Sequence, residues 1–143
     1  MAEALLKRSL PKRAVYSAGI GALIGAPADQ LAVQVMREQG IDMSAHRARS
    51  LGTWMIEGAD LILTMDQDQK RFVELRYPES KNKVFRLGEF GNYDVPDPFQ
   101  HGLTAFRESH DLIARGIDNL MTRIAPASEE RTLNELATIQ HTP

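Results

Sequence analysis

Asp60-Leu61-Ile62-Leu63-Thr64-Met65-Asp66 decides the fold: it is an apolar run without polar alternation, closed at both ends by aspartate. A strand with one wet face alternates apolar and polar residues, so an unbroken run reads as a strand covered on both faces, the habit of parallel sheets. Parallel strands need crossover connections, usually helices, and the flanking sequence supplies them. Asp66 with Gln69 is a capping-box signature for a helix through Lys70, Phe72, Val73 and Leu75, stopped at Tyr77-Pro78. Val84-Phe85-Arg86-Leu87 then reads as a second strand, closed by Gly88.

The same alternation continues outward. Ala14-Val15-Tyr16-Ser17-Ala18 is a short β-type run ending at Gly19, and Gly21, Gly25 and Pro27 mark an irregular loop after it. From Ala28, the residues Leu31, Ala32, Val35 and Met36 recur at helical spacing, with Asp29 at the positive end and Gly40-Ile41 as a C-terminal cap. Ala2 to Leu10 is built of good helix formers and is stopped by Pro11. Leu103, Phe106, His110, Ile113, Ile117, Leu120 and Ile124 paint one stripe on a long helix that packs on the sheet, with His110 a packed or rim histidine. Beyond Ala125 the composition turns polar; Thr132 with Glu135 suggests a short helix around Leu133 and Leu136 without a core partner, so residues 125–143 read as a loosely held tail to a domain spanning 1–124. Strands alternating with helices predict an α/β domain with a largely parallel sheet, whose sites form at the C-terminal ends of the strands.

Composition narrows the function. The 143 residues carry a net charge of -2, with no Lys/Arg block, which argues against a nucleic-acid partner. No apolar run is long enough to span a bilayer or form a signal core, so the expected location is the cytoplasm, away from the membrane. There is no cysteine, which excludes both a disulfide framework and thiol catalysis by these residues. His46, His101, His110 and His141 lack metal-ligand spacing, so a metal site is disfavoured.

Val95-Pro96-Asp97-Pro98-Phe99 holds one carboxylate between two prolines and beside an aromatic ring. Such a segment suits a general acid, though taken by itself it is more often a plain turn. Its reading is sharpened by the ordered series Met1-Ala2-Glu3-Ala4-Leu5-Leu6, Ser17-Ala18-Gly19-Ile20-Gly21-Ala22-Leu23, Pro27-Ala28-Asp29, Ser44-Ala45-His46-Arg47-Ala48-Arg49 and Ala59-Asp60-Leu61-Ile62-Leu63-Thr64-Met65-Asp66. Together with the Asp97 loop, these stretches resemble the low-molecular-weight protein tyrosine phosphatases, especially the bacterial branch linked to exopolysaccharide production, over about residues 1–124.

The resemblance implies a three-layer α/β sandwich and phosphotyrosine hydrolysis through a phosphocysteine, with no cofactor. It implies phosphotyrosine proteins as partners, a bacterial tyrosine kinase of exopolysaccharide synthesis among them. Asp97 matches the family's general acid, Leu23 and Phe99 match positions flanking the substrate ring, and His46 matches a residue that braces the phosphate loop. For Leu23 and Phe99 loop packing is the alternative; for His46 it is an ordinary exposed position at a helix start. Asp66 reads better as a helix cap than as a catalytic group. Arsenate reductases share this fold but resolve their reaction through further cysteines, which are absent here.

In the family a first strand runs into a Cys-x5-Arg-Ser-Pro loop that directly precedes the residues matching Met1-Ala2-Glu3. The expectation is therefore a chain lacking that strand and loop and inactive as given, either a fragment begun at an internal methionine or a nucleophile-free module that binds phosphotyrosine or a kinase. Because the family's first strand lies inside the sheet, its loss is expected to leave two unpaired edges, on the Tyr16 and Leu63 strands.

Overall fold

The computed structural model describes residues 1–124 and 135–140. Within it the elements follow in the order α1 (Ala2–Ser9), β1 (Ala14–Gly19), α2 (Gln30–Glu38), α3 (Thr53–Gly58), β2 (Leu61–Thr64), α4 (Gln67–Arg76), β3 (Val84–Arg86), α5 (Gly102–Ile124) and β4 (Glu135–Gln140). The four strands form one sheet in the order β1-β4-β2-β3, and every pairing in it is parallel.

The Asp60–Asp66 run behaves as its composition requires. Ile62 faces Val73 and Tyr77 of the α4 side, Leu63 and Met65 face the α1/α5 side, and all three are essentially inaccessible to solvent. Asp66 accepts a hydrogen bond from the Gln69 amide, and the Gln69 side chain accepts one from the Met65 amide, each 2.8 Å long. That reciprocal bonding starts α4 directly off the end of β2. Asp29 likewise caps α2 through the Leu31 amide. Gly40, at a φ of +75°, ends that helix with Ile41 N–H bonded back to the Met36 carbonyl.

The sheet separates two helical layers. On one side Leu5 and Leu6 of α1, Met36 of α2 and Ile113, Ile117 and Leu120 of α5 pack against Val15, Leu63 and Met65. On the other, Ile56 of α3 and Val73 of α4 pack against Ile62, Val84, Ala137 and Ile139. His110 of the α5 stripe is buried, with its Nδ1 3.0 Å from Asp111.

The expectation for residues 135–140 is overturned. These residues form no part of a short helix or a loosely held tail: β4 lies between β1 and β2, with Glu135–Gln140 in register with Ala14–Gly19 and Leu136–Thr138 with Leu61–Leu63. Ala137, Thr138 and Ile139 are fully buried. The two edges expected to stand unpaired are thereby paired, and β4 belongs to the domain despite lying past Ala125. The physical reason is the cost of leaving backbone donors and acceptors of β1 and β2 without partners beneath two helical layers. Thr132 and Leu133 lie outside the described residues. A further element, α3, escaped the sequence reading, although its Met55 and Ile56 are among the most buried side chains.

Candidate active site

A cavity of about 130 Å³ opens at the C-terminal ends of the strands. The end of β1 brings Ser17, Ala18 and Gly19 to it, the residue after β2 brings Met65, and the segment ahead of α5 brings Asp97 and Phe99.

The Asp97 segment is held from both sides. Val95 is buried and its amide donates to the Met65 carbonyl at 2.8 Å, tying the segment to the end of β2. The Ser109 hydroxyl of α5 donates to the Pro96 carbonyl at 2.9 Å. Between these anchors Pro98 is buried, while Asp97 stays exposed to solvent. One carboxylate oxygen of Asp97 accepts the Phe99 amide at 3.1 Å, the local bond of an aspartate-initiated turn. With two prolines restricting the backbone, the carboxylate is presented at the mouth of the cavity by a segment with little freedom to move it.

Opposite lies a second polar group. The Ser17 hydroxyl, on a residue 5% exposed, donates to Glu3 of α1, which also accepts from Lys7 at 2.6 Å. His46 Nδ1 stands 3.8 Å from the same Glu3 carboxylate. Burial alone would raise the pKa of Glu3, but the hydrogen bonds from Lys7 and Ser17 and the charge of Lys7 outweigh it and hold the carboxyl below its ordinary 4.5. For His46 burial is the largest influence; it pushes the imidazole below its ordinary 6.5, with the Glu3 charge opposing. At neutral pH this is an ionised carboxylate flanked by a neutral imidazole and a donated hydroxyl.

The loops around the cavity are knitted together. Gly19 N–H bonds to the Arg49 carbonyl at 2.9 Å, Gly25 N–H to Ala48 at 2.8 Å, and Ala48 N–H back to Ala26 at 2.8 Å. Arg49 lines the cavity and holds its guanidinium 5.7 Å from the centre of the Tyr16 ring.

Of the residues singled out from sequence, Asp97, Phe99 and His46 all line the cavity. Leu23 stands 65% exposed on the loop after β1, outside the cavity wall, where its neighbour Ala22 takes part in the lining. Asp66 is occupied as a helix cap. The sequence reading missed Glu3 as the carboxylate that joins Ser17 to His46, and Ser109 as the anchor of the Asp97 segment. Their signal was polar type at positions that helical periodicity buries. Among the described residues no cluster of His, Asp and Glu is arranged to hold a metal ion.

A model of the family described as low molecular weight phosphotyrosine protein phosphatase matches residues 1–130. The chain belongs to that family. Among curated relatives of the chain, the probable low molecular weight protein-tyrosine-phosphatase EpsP of Ralstonia nicotianae is 51% identical over 124 residues, 87% of this chain and 86% of the relative. Among solved structures, Vibrio vulnificus Wzb in complex with benzylphosphonate superposes with a TM-score of 0.81 at 31% identity, covering 85% of this chain and 87% of that one. The YwlE arginine phosphatase of Geobacillus stearothermophilus superposes with a TM-score of 0.83 at 32% identity, covering 92% and 87%. The family is one of phosphatases, and the parallel four-stranded sheet flanked by helices is its architecture.

Proposed function

We propose that the cavity is a phosphotyrosine site in which Asp97 is the proton donor, and that this 143-residue chain does not hydrolyse phosphotyrosine by itself. The observation that carries the reading is the placement of Asp97: a carboxylate fixed at the cavity mouth, beside the half-buried Phe99 ring, by anchors to Met65 and Ser109. In the family reaction a thiolate attacks phosphorus as the bond to the aryl oxygen breaks, and the acid gives its proton to the departing phenolate. Water then attacks the phosphocysteine, Asp97 takes its proton, and phosphate leaves as the sulfur–phosphorus bond breaks. Protonating the leaving group contributes about 10²–10⁴ in rate. It adds to a nucleophilic attack and cannot replace one, and the sequence holds no cysteine.

Phe99 supplies the flat apolar surface an aryl ester needs, and Leu23, exposed on the loop outside the cavity wall, adds apolar surface next to the lining residue Ala22. His46, through Glu3 and Ser17, braces the floor. Phosphotyrosine proteins are the natural ligands of such a site, and a cytoplasmic tyrosine kinase fits the class. A non-catalytic role in binding phosphotyrosine is the form this function takes when no nucleophile is supplied.

The test has two arms. The purified 143-residue chain is assayed with an aryl phosphate and is expected to give no turnover; activity that survives repurification and disappears in Asp97→Ala overturns the inactivity. A family-type strand and Cys-x5-Arg-Ser-Pro loop joined in frame ahead of Met1 is expected to give an aryl phosphatase. In that protein Asp97→Asn should slow substrates with poor leaving groups far more than those with good ones. Equal slowing removes Asp97 from the acid role, and a preference for phosphoarginine moves the substrate assignment away from phosphotyrosine.

A further inference from the structure

Several cations on this molecule have a carboxylate beside them. Lys7 pairs with Glu3, Arg86 with Glu89 and Asp94, and Arg107 with Glu38. Arg49 differs. It lines the active-site cavity and brings a fixed positive charge to it, yet among the described residues it makes no ion pair. Its partner is an aromatic ring, that of Tyr16, whose centre lies 5.7 Å from the guanidinium. The carboxylates that line the same cavity are already engaged: Asp29 caps α2, and Asp97 holds the turn before α5.

The ring holds the guanidinium without consuming its donors. A cation over a π face is attracted through its charge, which leaves the N–H groups of the planar fork unspent. Tyr16 is itself braced by Trp54 of α3, whose ring meets it edge to face with centres 5.6 Å apart. The backbone beneath is fixed as well: Gly19 N–H bonds to the Arg49 carbonyl at 2.9 Å, and Leu51 N–H to the Gly19 carbonyl at 3.3 Å, stitching this segment to the edge of β1. An arginine positioned in this way suits a carboxylate, which its fork grips with two parallel N–H···O bonds.

We infer that Arg49 is a specificity-determining residue that takes the carboxylate of an acidic side chain next to the phosphotyrosine, so that the substrates are protein segments with Glu or Asp beside the modified residue. The inference rests on the reading of the cavity as a phosphotyrosine site. Tyr16 and Trp54 stand outside the cavity lining, which puts the guanidinium they hold at its border. The anion it meets there belongs to a neighbouring residue, while the phosphorylated ring enters beside Phe99. Trp54, 56% exposed, continues the same surface beyond Tyr16 and flanks the segment as it leaves the cavity. Arg49 is exposed, so the pair it forms is modest in strength and sensitive to salt.

The test uses the full chain and short peptides in which a central tyrosine, phosphorylated or not, is flanked on both sides by Glu or on both sides by Gln. Binding is read by nitrogen-15 NMR from the indole N–H of Trp54, the single tryptophan of the chain and so a signal needing no assignment. The Glu peptides are expected to bind about three- to fivefold more tightly than the Gln peptides at low salt, with the advantage shrinking as salt is added. Arg49→Gln should abolish that advantage, and Arg49→Lys, which keeps the charge and loses the fork, should retain part of it. Equal affinity of the Glu and Gln peptides for the unaltered chain overturns the inference, as does a Glu advantage that survives Arg49→Gln. If Arg49→Gln instead removes an advantage of the phosphorylated peptides, the arginine grips the phosphoryl group and the inference is again overturned. The absence of any shift with every peptide has the same result. A Glu advantage that depends on Arg49 while phosphorylation changes nothing upholds the role of Arg49 and removes the phosphotyrosine reading of the cavity.

Discussion

Glu3 joins one helix, one strand and one loop through a single carboxylate, receiving Lys7 and Ser17 and facing His46. Its pKa is depressed in the folded state, so its stabilisation is present above the unfolded value of 4.5 and lost as pH falls through the lower folded value. The pKa of His46 is also depressed; between its folded value and the ordinary 6.5 the unfolded chain binds the extra proton, so stability falls there too as the solution is acidified. The expected outcome is an unfolding midpoint in urea that drops in two stages, first below about pH 6.5 and again below about pH 4.5. His46→Gln should shrink the first stage, to which the buried Met1 amino group, lowered to about 6, also contributes, and Glu3→Gln should shrink the second, which Glu89 shares. At this scale the sequence exposed Asp97, because flanking prolines make a carboxylate conspicuous. It hid the Glu3–Ser17 bond, because residues 14 positions apart meet only through the packing of α1 on the sheet.

Helix α5 shows how closely an element can be fitted to its neighbour. Gly116 faces the end of β3 so tightly that a methyl group there would sit 2.5 Å from the Leu87 carbonyl oxygen. Gly116→Ala should therefore destabilise by about 1–3 kcal/mol despite alanine's better helix propensity, read as a lower urea midpoint at unchanged slope. The α5 stripe was legible in full, since seven apolar or packed positions repeat at three and four residues over many turns. The end of α2 was legible too, because Gly40 and Ile41 form a cap with its own chemistry. α3 was not: its six residues, Thr53–Gly58, are too few to display a period, and tertiary burial of Met55 and Ile56 gives it its conformation.

Across the molecule the decisive contact joins residues more than a hundred positions apart, as Ala14 pairs with Glu135. Ile139→Ala tests it. In the centre of the sheet that change should cost about 2–5 kcal/mol, whereas in a loosely held tail it would cost nothing measurable. The parallel architecture was legible from the Asp60–Asp66 run alone. The identity of its central strand was not, because Glu135–Gln140 is polar at both ends and carries a threonine in the middle. What selects it is the vacancy created by two flanking strands, a property of the assembled sheet that no local window of sequence contains.

Making the middle of the sheet from residues 135–140 also sets a timetable for biosynthesis. Of the four described strands the ribosome delivers β4 last, so throughout translation of the residues between β1 and β4 the nascent chain has helices available while the β1 and β2 edges that β4 joins stay open. Such late, long-range closure is slow and leaves apolar strands exposed in the meantime. Productive yield of this protein in a cell should accordingly depend on holdase chaperones near the exit tunnel, and should fall steeply when their supply is reduced.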